Sequence, residues 1–276
     1  MIKWEELWKK RIDALNKSRG ADACGMWKTT EKAKKYAKRS SDENNERIKN
    51  TLKCLEVNKN SRILDIGSGP GNIAIPLSFK AKSVTAVEPA DGMQLYLENE
   101  INSKGISNIS VVKKRWEEVD IINDLDAPYD IVFSSFSFGG IKEFKSSINK
   151  MLESASEKVY IFWMQGGSAW INIHNLLSGI KKEESCDYTE HFDLIYNMLY
   201  EMKIFPDVKV FKSNIRHVYS DLNEAAESYS YPLEKAGNRK QIAEKILKEK
   251  LNLINEGYTI EEESRYACYC IDKNKI

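Results

Sequence analysis

Three glycines and two acids carry the clearest chemistry in this sequence. The run Ile63-Leu64-Asp65-Ile66-Gly67-Ser68-Gly69-Pro70-Gly71-Asn72 places glycines at 67, 69 and 71 directly after a short apolar stretch. Glycine lacks a Cβ, so the backbone there can turn tightly and come close to a ligand. A helix starting at Gly71 would point its free N–H groups at that ligand. Glu88 follows Gly67 by 21 residues, at the end of the next apolar run. An acid in that place can accept hydrogen bonds from two ribose hydroxyls. Together these residues describe a nucleoside-type cofactor lying across the carboxyl ends of two adjacent strands. A dinucleotide loop has the spacing G-x-G-x-x-G. Here the spacing is G-x-G-x-G, and Asp65 stands two residues before the first glycine. A carboxylate at the end of a buried strand needs a partner. A pyrophosphate would repel it, whereas a cofactor with an amino group and a sulfonium suits it.

Residues for acid–base work are sparse. The three histidines are His174, His191 and His217. His174 lies just beyond the fifth expected strand and the Gly166-Gly167 turn, at the ligand-facing end of such a sheet, and is a weak candidate base. Tyr36, in a basic N-terminal segment, is a second weak candidate for the active site. No specific catalytic residue is expected beyond these two. Trp116, Phe136, Phe138, Trp163 and Trp170 crowd the same end; they suit core packing and could also face a sulfonium. The five cysteines, Cys24, Cys54, Cys186, Cys268 and Cys270, are scattered with no CxxC pair, so no metal site is expected and free thiols are.

The elements that must hold these residues alternate. Strands are expected at Arg62–Ile66, Ser83–Val87, Ile109–Val112, Tyr129–Ser134 and Lys158–Met164, with helices at Gly71–Phe79 and Asp91–Lys104. That alternation implies parallel βαβ units with right-handed crossovers. Upstream, Trp4, Leu7, Trp8, Ile12 and Leu15 recur at helical spacing, and Gly20 and Gly25 punctuate. A second helix is expected over Thr30–Arg39, and a third, capped by Ser41 or Asp42, presents Ile48, Leu52 and Leu55. Downstream come a helix at His191–Met202 and an extended segment at Asp207–Tyr219. An amphipathic helix with Ile242, Ile246, Leu247, Leu251 and Ile254 on one face follows, and then a strand at Arg265–Ile271. The expected fold is α/β: a Rossmann-like, seven-stranded, mostly parallel sheet with an antiparallel C-terminal edge strand, helices on both faces and an N-terminal helical cap. Residues 1–55 would form the cap and 56–276 the main domain. A lid or substrate-binding insertion is expected at about 166–205, because Gly166–Tyr188 is long for a simple connection.

The loop resembles motif I of the class I S-adenosylmethionine-dependent methyltransferases, an acid followed by G-x-G-x-G. Val84-Thr85-Ala86-Val87-Glu88-Pro89-Ala90 resembles the second motif, whose acid binds the ribose, with Pro89 to Met93 flanking the adenine. Trp116-Glu117-Glu118 matches the place where that family sets an acidic or polar residue against the adenine amino group, and Tyr129-Asp130-Ile131-Val132-Phe133-Ser134 resembles its fourth strand. The resemblance is specific over about residues 60–165. It implies S-adenosyl-L-methionine as cofactor, bound by Asp65, Gly67, Ser68, Gly69, Gly71, Asn72, Glu88, Pro89, Met93, Trp116, Glu117 and Ser134. After the fourth strand stands Ser135-Phe136-Ser137-Phe138-Gly139-Gly140, where amino-group methyltransferases acting on bases and glutamine carry Asn/Asp-Pro-Pro-(Tyr/Phe). Those substrates are therefore disfavoured.

Composition bounds the partners. Forty-two basic against 41 acidic residues leave a net charge of +1, which argues against a dedicated nucleic-acid binder. Residues 1–53 nevertheless hold 15 Lys/Arg and 8 Asp/Glu, a local +7. No apolar run approaches the ~18 residues that span a membrane. Neither a membrane partner nor a signal peptide is expected, and a cytoplasmic location is. The expected activity is methyl transfer by in-line displacement to a small-molecule acceptor. Alternatives are methylation of a protein or RNA, a non-catalytic S-adenosylmethionine binder, and, last, a nicotinamide-dependent enzyme.

Overall fold

Short runs of branched apolar residues bounded by glycine and polar turns make strands, and the amphipathic segments between them make the helices that cover both faces. The structure, a computed structural model, describes residues 3–19, 22, 24–40, 46–165, 169–179, 191–229, 233 and 237–276. The chain opens with α1 (Trp4–Arg19), α2 (Thr30–Ser40) and α3 (Glu46–Cys54). Next come β1 (Arg62–Ile66), α4 (Ala74–Ser78), β2 (Ser83–Val87), α5 (Asp91–Ser103) and β3 (Ile109–Val112). The middle holds α6 (Ile121–Asp124), β4 (Tyr129–Ser135), α7 (Phe144–Ser154), β5 (Ala155–Met164), α8 (Ala169–Ser178) and α9 (His191–Glu201). The chain closes with β6 (Asp207–Tyr219), α10 (Leu222–Ser228), α11 (Lys240–Lys250), β7 (Asn252–Ile254) and β8 (Gly257–Asp272).

The strands form one sheet in the order β3-β2-β1-β4-β5-β8-β6, with β7 as a short eighth strand on β8. Strands β1 to β5 are parallel, and β8 runs antiparallel to both β5 and β6. The mostly parallel Rossmann-like sheet with an antiparallel C-terminal edge is thus as expected. That edge is two strands deep, because β8 inserts beside β5 and leaves β6 outermost. The period-2 alternation of strand side chains splits the core. Leu64, Ile66, Val132, Ile161 and Trp163 pack on one face with Trp8 and Ile12 of α1, and Ile63, Phe133, Tyr160 and Phe162 pack on the other. The chain order reverses between β1 and β4, and crevices at such switch points bind ligands. The register levels Ile66 with Val87 and Ser134, so the loops that follow β1, β2 and β4 leave the sheet together.

Several expected elements differ. The helix after the glycine loop starts at Ala74 instead of Gly71, because Gly71 sits at φ +87° and turns the chain first. The helix expected through Ile254 ends at Lys250, and Ile254 belongs to β7. The stretch read as a long loop contains α8, an apolar helix whose Ile173 and Leu177 are buried. Helices α7 and α10 were not anticipated. Gly20, Ser41, Asp42, Gly166, Gly167, Cys186 and Tyr188 lie outside the described residues.

Candidate functional site

Where β1 ends, Gly67 takes φ +73°, and its N–H and that of Ser68 donate to the Val87 carbonyl at 2.8 and 3.1 Å. A Cβ on Gly67 would lie 2.2 Å from the Ser137 Cβ, so the loop after β4 closes directly onto this glycine. Gly69 has φ +58° and open space where a Cβ would stand. Glu88, 6% exposed at the end of β2, accepts from the Gly69 and Ala90 N–H groups at 2.8 Å each. Burial raises its pKa, and the two N–H donors pull it partly back. Asp65 is 2% exposed and one of its carboxylate oxygens has no partner. Burial, and then the nearby Glu88 charge, hold its pKa well above the usual carboxylate range.

These groups border two adjoining cavities. The larger, about 340 Å³, is lined by seven of the expected residues: Gly67, Gly69, Glu88, Pro89, Met93, Trp116 and Glu117. Tyr36 lines it too. The smaller, about 50 Å³, brings in Asp65, Ser68 and Asn72, and again Gly69 and Tyr36. Three expected residues stand outside. Gly71 is needed for packing, since a Cβ there would lie 2.4 Å from a Leu97 methyl. Ser134 is fully buried with its Oγ 2.5 Å from the Ser137 Oγ; strand alternation gives the cavities Ser135 instead. His174 is buried on α8, where Nδ1 donates to the Tyr229 carbonyl at 2.7 Å, and it lines neither cavity. His217 lies on β6, far along the chain from these loops, stacked on Tyr219.

The sequence reading missed most of the N-terminal wall. Cys24, Met26 and Trp27 line the larger cavity. Burial pushes the Cys24 thiol up to about 11, so it stays protonated. Beyond Tyr36 and the expected cap, a sequence cue to this wall is Gly92. A Cβ there would come within 2.4–2.6 Å of the Thr29 and Trp27 backbone, so glycine is what lets α5 and the N-terminal segment touch. Ala33 on α2 is buried with Ala90 and Met93 in the same contact. Arg115, also in the wall, pairs with Asp22, which in turn accepts from the Gly25 N–H at 2.8 Å. On the far side Phe136 and Trp163 stack with ring centroids 6.3 Å apart. Trp116 is held by its indole N–H, 3.2 Å from the Ser147 carbonyl.

The set fits an adenosyl amino acid. It offers two acids, Glu88 and Glu117, a bare glycine turn, and unpartnered buried polar atoms on Asp65, Ser68, Asn72 and Ser135. Sheet order and site together define a class I S-adenosylmethionine-dependent methyltransferase. Residues 37–192 match the family model described as GidB, rRNA small subunit methyltransferase G, and the chain belongs to this family. An uncharacterized methyltransferase of Staphylococcus carnosus is 30% identical over 98 residues, 35% of this chain and 42% of the relative. The chain spans about two fifths of the length of the first curated relatives it matches. Among solved structures, the YcgJ protein of Bacillus subtilis superposes with a TM-score of 0.56 at 14% identity, covering 83% of this chain and 98% of its own. A SAM-dependent methyltransferase of Aquifex aeolicus gives 0.51 at 19% identity, covering 67% and 92%. At these identities the two likenesses speak for the fold. Among the described residues no helix is long and apolar enough to cross a membrane.

Proposed function

We propose that the protein transfers a methyl group from S-adenosylmethionine to a small acceptor enclosed beneath an N-terminal cap formed by residues 1–55. The observation that carries the acceptor class is the bedding of the cap on α5: the backbone of Trp27 and Thr29 reaches the Gly92 position, and Cys24, Met26 and Trp27 form one wall of the cavity.

The cofactor supplies a methyl carbon on a sulfonium, an electrophile with a good leaving group. The protein's task is then alignment and exclusion of water. Glu88 keeps lone pairs for the ribose hydroxyls beyond the two N–H bonds it already accepts. Glu117, Pro89 and Met93 line the same cavity, where Glu117 would accept from the adenine amino group and Pro89 and Met93 would flank the ring. Trp27, Tyr36 and Phe136 wall the reacting end, where ring faces favour a cation. Tyr36 lines the cavity and is offered to the acceptor as a hydrogen-bonding group; His174 lies outside it.

A second reading, methylation of an RNA base, is favoured by the GidB family description and by the +7 charge of residues 1–53. Incubation of the protein with methyl-labelled cofactor and a size-fractionated cell extract tests both. Label in the low-mass fraction supports the small acceptor. Label in RNA, released by ribonuclease and lost steeply with added salt, replaces it with the second reading.

A further inference from the structure

Glu117, which lines the larger cavity, stands on little local structure. It is exposed and belongs to a single 3-10 turn, Trp116–Glu118. Within the turn the Glu118 N–H donates to the Arg115 carbonyl at 2.9 Å and the Val119 N–H to the Trp116 carbonyl at 3.3 Å. One turn of this kind has poor hydrogen-bond geometry and does not hold its shape alone. The hold comes from α7. Lys150 is half-buried there, and its Nζ donates to the carbonyls of Trp116, Glu117 and Val119 at 2.9, 3.0 and 2.8 Å. An ammonium has three N–H donors, so all three are used on this one turn. The same Nζ lies 5.2 Å from the centroid of the Trp116 ring. Ser147, one helical turn earlier on α7, accepts the Trp116 indole N–H at 3.2 Å. Burial lowers the Lys150 pKa, and the Glu117 charge leads the carboxylates that oppose this.

How tightly the turn is held decides which base a carboxylate on it can select. A 6-aminopurine offers an N–H donor at C6 and an acceptor at N1. A 6-oxopurine reverses both, with an acceptor at C6 and a donor at N1. A carboxylate only accepts, so one kept opposite C6 binds the first base and repels the second. A carboxylate free to slide toward N1 accepts from the second as well. We propose that Lys150 is a positioning residue for base selection. By clamping three carbonyls of the turn, it keeps the Glu117 carboxylate opposite the 6-position, so the site takes an adenine-bearing ligand and rejects its hypoxanthine counterpart. The proposal rests on the cofactor reading above, in which Glu117 meets the adenine.

Titration calorimetry of the full chain with S-adenosylhomocysteine and with S-inosylhomocysteine, its 6-oxo counterpart, tests this. The wild type is expected to prefer the adenosyl ligand by about tenfold or more. Lys150→Met keeps the aliphatic stem and removes the three donors; it is expected to shrink that preference by about threefold to tenfold. Lys150→Arg keeps the cation over Trp116, but its planar fork cannot meet three carbonyls at once, so its preference should fall between the two. In a Glu117→Gln background, Lys150→Met should leave the preference where Glu117→Gln alone puts it, because Lys150 acts through Glu117. A preference that stays at the wild-type value in Lys150→Met, whether both affinities fall together or neither changes, is what a merely structural lysine gives, and it overturns the proposal. The wild type provides a check that depends on no variant's folding. If it binds both ligands equally, there is no selection for Lys150 to set and the proposal fails while the cofactor reading stands. If it binds neither, the cofactor reading itself is refuted, and the proposal with it.

Discussion

Replacing Asp65 with asparagine separates two consequences of one buried carboxylate. The side chain is 2% exposed, one oxygen has no partner, and burial followed by the Glu88 charge raises its pKa. The folded chain thus retains a proton that the unfolded chain releases near the ordinary value of about 3.9. Between that value and the raised folded pKa the native state binds more protons, so its stability falls as pH rises. Asparagine keeps the shape and cannot ionise. Without ligand, Asp65→Asn should melt with the wild type at mildly acidic pH and above it at pH 8. Each pH unit in that window costs the wild type about 1.4 kcal/mol that the asparagine variant keeps, which corresponds to roughly 3–6 °C in a chain of this size. Binding should move the other way. Loss of a charged hydrogen bond to the ligand ammonium, about 1.5–3 kcal/mol, weakens S-adenosylhomocysteine by about 10- to 150-fold. Thermal melts across pH 5–8 and titration calorimetry read the two effects. Melting curves that stay parallel at every pH, together with wild-type affinity, would refute the reasoning, because Asp65 would then be ionised and already partnered.

Other substitutions probe the turns and the cap. Gly67→Ala should unfold the loop or abolish S-adenosylhomocysteine binding, since its Cβ meets Ser137 at 2.2 Å; Gly69→Ala, with open space, should cost only the φ strain of about 1–2 kcal/mol in urea unfolding. Gly92→Ala drives a Cβ into the Thr29 backbone and should raise hydrogen exchange across Thr30–Ser40 while the strands stay protected. His174→Gln should lower the melting temperature by disturbing the bond to the Tyr229 carbonyl and leave S-adenosylhomocysteine affinity unchanged; a large loss of affinity would return His174 to the site.

Local chemistry made the first half of this protein legible. Strands β1, β2 and β3 begin and end where apolar runs meet glycine or polar turns, so Asp65, Gly67, Gly69 and Glu88 could be placed at strand ends from spacing alone. The same logic failed where a residue's role depends on what packs against it. The parity of β4 turns Ser134 inward and gives Ser135 to the cavity, a choice fixed by its neighbours β1 and β5. His174 sits at the correct end of the chain segment for a base, yet α8 turns it toward Tyr229.

What the sequence determined by itself is the glycine turn after β1 and the acid at the end of β2, because these are backbone turns and strand ends encoded within a few tens of residues. What only the tertiary structure decided is the wall opposite: Trp27, Tyr36 and Arg47 meet the loop across large gaps in sequence. Those meetings are selected by burial of Trp8 and Ala33 against the body and by the missing Cβ of Gly92. No local pattern states which distant surface a helix will bury, since the hydrophobic effect rewards the area covered and is indifferent to the order of the chain.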